Sequence, residues 1–320
     1  MNQFAFVFPG QGSQSVGMLD AWGDHPAVVA TLAEASDALS QDVGRLIREG
    51  TKEDLALTTN TQPVMLVAAV AAYRAWLYEG GAVPNMVAGH SLGEYSALVA
   101  AGSMSLADAA PLVRFRAAAM QEAVPVGAGA MAAILGLGAE QVKAICAEVT
   151  AGYGAGGQAG SEVVEAANFN DPLQTVIAGS KLSVDKACEL LKAAGAKRAL
   201  LLQVSAPFHS SLMLPAAEKL RERLVDMVVL PPQIQLVNNV DVAVETEPVK
   251  IKDALYRQAF GAVRWVESVQ WMQEAGMTAV IECGPGKVLA GMNKRISTEL
   301  ISGSIADPAS LQDIKNNLLR

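Results

Sequence analysis

The chain has 320 residues, 51% of them hydrophobic and 18% charged, with a formal net charge of −8. That length buries a sizeable core as one large domain or two moderate ones, and the composition excludes a disordered chain. The acidic balance offers no global attraction for nucleic acid or an anionic membrane surface, so neither is an expected partner.

The first strand is expected at Phe4–Phe8. It is too short for a signal-peptide core and lacks a basic start. Pro9 to Gln14 follows as a loop. No Gly-Lys-Ser/Thr comes after it, which excludes a P-loop. The loop is either a plain strand-to-helix turn or, through the N–H of Gln11, a donor to an oxyanion. Residues 27–41 and 62–78 carry helical apolar periodicity. The longest apolar run, Pro63 to Tyr73, is too short to span a bilayer and reads as a buried helix starting at Pro63. His25, before Pro26 in a polar stretch, reads as a surface residue.

The chain is organised around Gly89-His90-Ser91-Leu92-Gly93, which fits Gly-x-Ser-x-Gly. A short buried strand is expected before it, over 82–88, and a helix after it, over 94–101. This is the strand–turn–helix context of a nucleophile elbow. A turn that tight needs glycine at 89 and 93, because a side chain there would collide with the neighbouring strand or helix. Ser91 is then exposed at the tip, and the Leu92 N–H at the helix start faces any oxyanion formed on a carbonyl that Ser91 attacks.

Leu106 to Ala123 reads as a further helix with Ser105 as its N-cap. Arg114 and Arg116 lie on it, two apart and so on different sides; a solvated helix face is the ordinary reading of each. Pro125 to Gly129 marks a boundary. The elements that follow run strand, helix, strand, strand, helix, strand, a ferredoxin-like unit over 127–204. Its glycine-rich run from Ala151 to Gly160 is expected to be a mobile loop. The unit is inserted into a large α/β domain made of 1–126 and 205–320. After it, Ser205-Ala206-Pro207-Phe208-His209-Ser210 forms a loop. An elbow serine needs a base from another element, and His90, beside Ser91, points away from it. His209 is therefore the expected base. Helices over 214–226, 251–260, 266–275 and 288–296 and strands near 237 and over 279–283 complete the domain. The polar tail from Ser302 is expected to fray.

The three cysteines, Cys146, Cys188 and Cys283, are odd in number and widely spaced. That argues against a disulfide framework and a Cys-x-x-Cys metal site. They read as reduced core thiols of a cytoplasmic protein.

Six motifs together resemble the bacterial malonyl-CoA:acyl-carrier-protein transacylases. They are Phe-Pro-Gly-Gln-Gly-Ser-Gln at 8–14, Gly-His-Ser-Leu-Gly-Glu-Tyr at 89–95, Met-Gln-Glu-Ala-Val-Pro at 120–125, Ala-Pro-Phe-His-Ser at 206–210, Val-Arg-Trp at 263–265 and Glu-Cys-Gly-Pro-Gly-Lys-Val-Leu at 282–289. The match runs nearly end to end in the family's order. The resemblance implies an α/β-hydrolase-like large subdomain with a parallel sheet, and the ferredoxin-like small one. It implies transfer of malonyl from malonyl-CoA to acyl carrier protein in fatty acid biosynthesis, with no cofactor and no metal, by a monomer. Ser91 becomes the malonyl ester, His209 is the base, and the N–H groups of Gln11 and Leu92 form the oxyanion hole. Arg116 pairs with the malonyl carboxylate, and Gln258 orients the histidine through its backbone carbonyl. Where Ala117 stands the family often has glycine. Phe208 matches a phenylalanine that accompanies malonyl use.

Three other readings compete. A serine esterase of α/β-hydrolase type shares the elbow but expects an acid between serine and histidine. A patatin-like Ser-Asp lipase would not need His209. A non-catalytic docking module would not need Ser91, His209 and Arg116 all intact.

Overall fold

The computed structural model describes residues 3–154 and 162–318. They form two compact units, one of residues 1–117, 226–251 and 267–320, the other of 118–225 and 252–266. In chain order the elements begin with β1 (Phe4–Phe8), α1 (Pro26–Leu39), α2 (Val43–Glu49), α3 (Lys52–Ala56), α4 (Thr58–Tyr78), β2 (Met86–Gly89), α5 (Gly93–Ala100) and α6 (Leu106–Glu122). There follow β3 (Gly129–Leu135), α7 (Ala139–Gly154), β4 (Val164–Asp171), β5 (Gln174–Ser180), α8 (Lys181–Ala193), β6 (Arg198–Leu201) and α9 (Leu214–Val225). The chain ends with β7 (Gln235–Val237), α10 (Pro248–Gln258), α11 (Trp265–Glu274), β8 (Ala279–Cys283), α12 (Val288–Ile296), β9 (Ile301–Ile305) and α13 (Pro308–Asp313).

The first unit holds a five-stranded sheet in the order β7-β2-β1-β8-β9, every neighbouring pair parallel. Central strands of such a sheet are covered on both faces, so they read as unbroken apolar runs without alternation. Every residue of β1 and β8 is buried accordingly. Helix α4 lies over β1, with the rings of Tyr73 and Trp76 edge-on to Phe6 at 6.1 and 5.4 Å. Edge-to-face contacts of this kind add to the area the rings bury. Phe8 pairs with Gly89, and Ala88 with Val237. This register sets the loop after β1, the elbow after β2 and the turn after β7 side by side at the carboxyl ends of their strands, where open parallel sheets build sites.

The second unit holds a four-stranded antiparallel sheet, order β4-β5-β3-β6, built from a strand–helix–strand–strand–helix–strand run. Helices α7 and α8 cover one face around Ile134, Val142, Cys146, Ile177, Cys188 and Leu191. Burial pushes the Cys146 thiol up to about 12, and those of Cys188 and Cys283 upward too, so these sulfurs stay protonated and inert.

Ser105 caps α6 as expected: its hydroxyl accepts from the Asp108 N–H at 3.0 Å and donates to the Asp108 carboxylate at 2.6 Å. Other expectations need correction. Helix α4 starts at Thr58, not Pro63, because Thr61 and Asn60 donate to carbonyls of Leu57 and Asp54 and hold a turn before the proline. His25 is not a surface residue; its ring packs edge-on against Trp22 and Tyr78, and Nε2 lies 3.3 Å from the Glu79 carboxylate. Residues 302–313 of the tail do not fray: β9 pairs with β8, and Asp307 caps α13. Of the glycine-rich run 151–160, residues 151–154 continue α7 and residues 155–160 lie outside the described residues. The second unit takes in 118–225 and 252–266, Val263 joining β4 by accepting from the Phe169 N–H and donating to the Ala167 carbonyl, both at 2.9 Å. Helix α9 is tied in by the Tyr256 hydroxyl, which donates to Glu218 at 2.7 Å.

Candidate active site

Within the first unit, Ser91 stands at the end of β2 with φ 52°, a left-handed conformation that non-glycine residues hold only under constraint. The constraint is steric. A Cβ on Gly89 would lie 1.9 Å from the Gly93 carbonyl carbon, and one on Gly93 would lie 2.0 Å from the Phe8 carbonyl oxygen. Neither position admits a side chain. Leu92 is the N-cap of α5, so its N–H belongs to the positive end of that helix. The loop bearing Gln11 is pressed on the elbow, since a Cβ on Gly10 would come within 2.6 Å of the His90 carbonyl oxygen.

Arg116 is 1% exposed, on the inward side of α6. Its Nη2 donates to Ser91 Oγ at 3.3 Å and its Nη1 to Gln62 Oε1 at 2.8 Å, with the guanidinium carbon 5.5 Å from the centre of the Tyr95 ring. Burial lowers the Arg116 pKa and raises that of Tyr95 to about 12, so the phenol stays neutral while arginine, with Glu94 nearby to favour its charge, stays cationic. A planar cation beside a serine hydroxyl, in a nearly dry setting, is a receptor for an anionic group carried by whatever the serine attacks. Arg114, two residues back, faces the other way and donates to the Leu39 carbonyl at 3.0 Å.

In the second unit, His209 is buried and has φ 61°. Its Nδ1 lies 2.9 Å from the Gln258 carbonyl oxygen and 3.1 Å from that of Gly261. Carbonyls only accept, so in the neutral ring Nδ1 carries the proton and Nε2 the lone pair, the tautomer a general base needs. Gln258 and Phe208 are buried in this unit as well, the Phe208 N–H donating to the Ala206 carbonyl at 3.0 Å.

Sequence reasoning missed Gln62, Gly261 and Asn239. Asn239 accepts from the Ser91 N–H at 2.7 Å and donates to the Gly89 carbonyl at 2.6 Å. The signals were faint: a glutamine at the head of an apolar helix, and an asparagine pair just past a strand. Among the described residues no group of three or more His, Cys, Asp or Glu is placed to hold a metal ion, and no helix is long and apolar enough to cross a membrane.

The acyl transferase domain family matches residues 5–299, a span that includes Gln11, the elbow, Arg116, His209 and Gln258. The chain belongs to this family. A malonyl CoA-acyl carrier protein transacylase of Escherichia coli K12 is 50% identical over 312 residues, covering 97% of this chain and 98% of the relative. An acyl-carrier-protein S-malonyltransferase of Burkholderia pseudomallei, known as a crystal structure, is 62% identical at a TM-score of 0.93, with 97% of this chain and 98% of the other covered. A malonyl-transacylase solved in complex with a type II PKS acyl-carrier protein is 47% identical at a TM-score of 0.94, with 98% and 100% covered.

Proposed function

We propose that this acyltransferase moves a malonyl group from malonyl-CoA to the phosphopantetheine thiol of acyl carrier protein, in fatty acid synthesis, through a malonyl ester on Ser91. The observation that carries the reading is the buried Arg116 guanidinium donating to Ser91 Oγ at a strained elbow. A guanidinium there holds the free carboxylate of malonyl bidentately and selects a dicarboxylic acyl group over acetyl.

The chemistry runs in two halves. Ser91 Oγ attacks the thioester carbonyl and its proton passes to His209 Nε2. The tetrahedral oxyanion takes hydrogen bonds from the N–H groups of Leu92 and Gln11. Collapse breaks the C–S bond, and the imidazolium protonates the departing thiolate. The carrier thiol then gives its proton to His209, attacks the ester carbonyl and expels the Ser91 alkoxide, which recovers the proton. A covalent intermediate with two successive partners gives ping-pong kinetics. The Gln258 and Gly261 carbonyls take the orienting place that an acidic residue holds in other serine enzymes.

The first unit fits an α/β-hydrolase-like description, with its parallel sheet and elbow. The antiparallel order of the second, with its two helices on one face, fits a ferredoxin-like one. We further infer a cytoplasmic monomer, for which the three buried thiols and the modest acidic charge are the support.

The test is intact-protein mass measured after incubation with malonyl-CoA or acetyl-CoA, followed by addition of acyl carrier protein. The reading expects one malonyl increment on the wild type, none on Ser91→Ala, little from acetyl-CoA, and loss of the increment to carrier. Rapid release of free malonate without carrier would identify an esterase. A malonyl increment on Ser91→Ala at the wild-type rate would overturn the assignment.

A further inference from the structure

The turn after β7 contributes a residue that the chemistry above does not use. Asn239 is wholly buried and both polar atoms of its side chain bond the elbow. Its Oδ1 accepts from the Ser91 N–H at 2.7 Å and its Nδ2 donates to the Gly89 carbonyl at 2.6 Å, bonds that span 148 and 150 residues of sequence. Its own N–H donates to Glu94 Oε2 at 2.9 Å, so the first turn of α5 holds it from the other side. The two side-chain bonds hold the peptide groups that lead into Ser91, the one residue of the elbow that stands at positive φ. A left-handed serine persists only where its surroundings over-determine it.

We propose that Asn239 is a positioning residue for acyl transfer: by clamping the two peptide groups that flank His90 and lead into Ser91, it fixes the direction of Ser91 Oγ and of the Leu92 N–H that follows. The inference rests on Ser91 being the nucleophile. The clamp requires one acceptor and one donor on the same short side chain. Alanine supplies neither. Ionised aspartate supplies two acceptors and sets one of them against the Gly89 carbonyl oxygen. Protonated aspartic acid supplies both functions, an accepting carbonyl and a donating hydroxyl. The same contact disfavours the ionised form and so raises the carboxyl's pKa toward the working range. The clamp therefore has a pH signature that simple loss of packing would not produce. The charged groups near it are Glu94, which accepts from its N–H, and Arg116, which faces Glu94.

The experiment measures single-turnover malonylation by intact mass from pH 5.5 to 8.5 for wild type, Asn239→Ala, Asn239→Asp and Ser91→Ala. Thermal melting at each pH establishes that each variant is folded, and steady-state kinetics separate kcat from KM. Asn239→Ala is expected to acylate about ten- to 100-fold more slowly, one to two decades of rate constant, with KM for malonyl-CoA nearly unchanged. Asn239→Asp is expected to be as slow at pH 8.5 and to recover at least about tenfold, relative to wild type, toward pH 5.5. If Asn239→Ala fails to fold, the aspartate variant alone decides. A wild-type acylation rate in Asn239→Ala, or an aspartate variant whose pH profile parallels wild type, would overturn the inference while leaving Ser91 as nucleophile. Labelling of Ser91→Ala would overturn the nucleophile reading and the inference with it.

Discussion

Arg116 and Ser91 are joined by a hydrogen bond in which the guanidinium Nη2 donates to Oγ at 3.3 Å, both on elements of the parallel-sheet unit. The other arm, Nη1, donates to Gln62 Oε1 at 2.8 Å, so a neutral amide orients the cation without cancelling its charge. An acyl group with a terminal carboxylate gains from that arrangement, and acetyl does not.

Arg116→Ala is expected to lose the preference for malonyl over acetyl. One charge-assisted bidentate contact is worth about 1.5–3 kcal/mol, roughly ten- to 150-fold in discrimination. The ratio of kcat/KM for malonyl-CoA and acetyl-CoA measures it. An unchanged ratio would move the role elsewhere; Arg114, bonded to the Leu39 carbonyl on the opposite side of α6, is the arginine to test next.

Gly93→Ala tests the elbow's steric argument. The added methyl would meet the Phe8 carbonyl oxygen at 2.0 Å and its carbon at 2.7 Å, backbone atoms of a buried central strand that cannot move aside cheaply. Overpacking of this sort costs about 1–3 kcal/mol. A lowered melting temperature together with lost malonylation is expected. Wild-type behaviour in both would mean that the strand and the elbow can separate freely.

The elbow was legible in the sequence because its parts are local. The elbow announces itself through two glycines four residues apart between an apolar strand and a helix, and Ser105 with Asp108 signals the start of α6. What stayed illegible is long-range. Asn239 meets Ser91 only because β7 pairs with β2, and nothing in Val237-Asn238-Asn239 declares that pairing. Gly261 acts through its backbone oxygen, which no residue type encodes. The run Ile301-Ser302-Gly303-Ser304-Ile305 looks like a polar tail because its strand character comes from a single neighbour, β8. Pro63 misled for the opposite reason: proline marks helix starts strongly, but side chains of Asn60 and Thr61 hold a turn ahead of it.

His209→Ala should slow acyl transfer by about 10²–10⁴-fold, the usual worth of a positioned acid–base group. Folding should survive, since Nδ1 bonds two carbonyls at the end of α10 and just past it, outside the core cluster of that unit's sheet. Stopped-flow or quenched-flow acylation with malonyl-CoA checks it. A mutant with wild-type turnover would place the base elsewhere, and His90 would be examined first.

Glu282 predicts a pH dependence of stability. It is wholly buried in β8, its Oε2 accepting from the Ala290 N–H at 2.9 Å at the start of α12. Burial pushes its pKa up to about 7, with the N–H groups of Val288, Leu289 and Ala290 pulling the other way. A folded-state pKa above the unfolded value means the folded form binds the extra proton. The stabilisation is therefore complete below about pH 4.5 and is lost as pH rises to about 7, by roughly 3 kcal/mol. Glu282→Gln removes the titration. The stability of that variant relative to wild type, measured by urea unfolding at pH 5 and pH 8, is expected to rise with pH. A constant difference would show that the carboxyl does not titrate in this window.

The last prediction concerns which diacid the site accepts. Phe208 precedes His209 and is buried in the same unit. If this ring lines the acyl pocket, as we propose, it would fill volume that an α-methyl group on the acyl chain needs, whereas malonyl carries only hydrogens at that carbon. Overpacking a rigid site costs about 1–3 kcal/mol, which corresponds to roughly a five- to 150-fold bias against methylmalonyl. Phe208→Ser removes the ring and keeps a small polar side chain. The methylmalonyl-to-malonyl ratio of kcat/KM should therefore rise in the variant, chiefly through the methylmalonyl value, while malonyl turnover falls little. A wild type that already uses both substrates equally, or a variant with an unchanged ratio, would make Phe208 a packing residue of its unit. Selectivity at the α-carbon would then have to be sought among the residues around Arg116, beginning with Gln62, whose amide oxygen accepts from the other arm of the guanidinium.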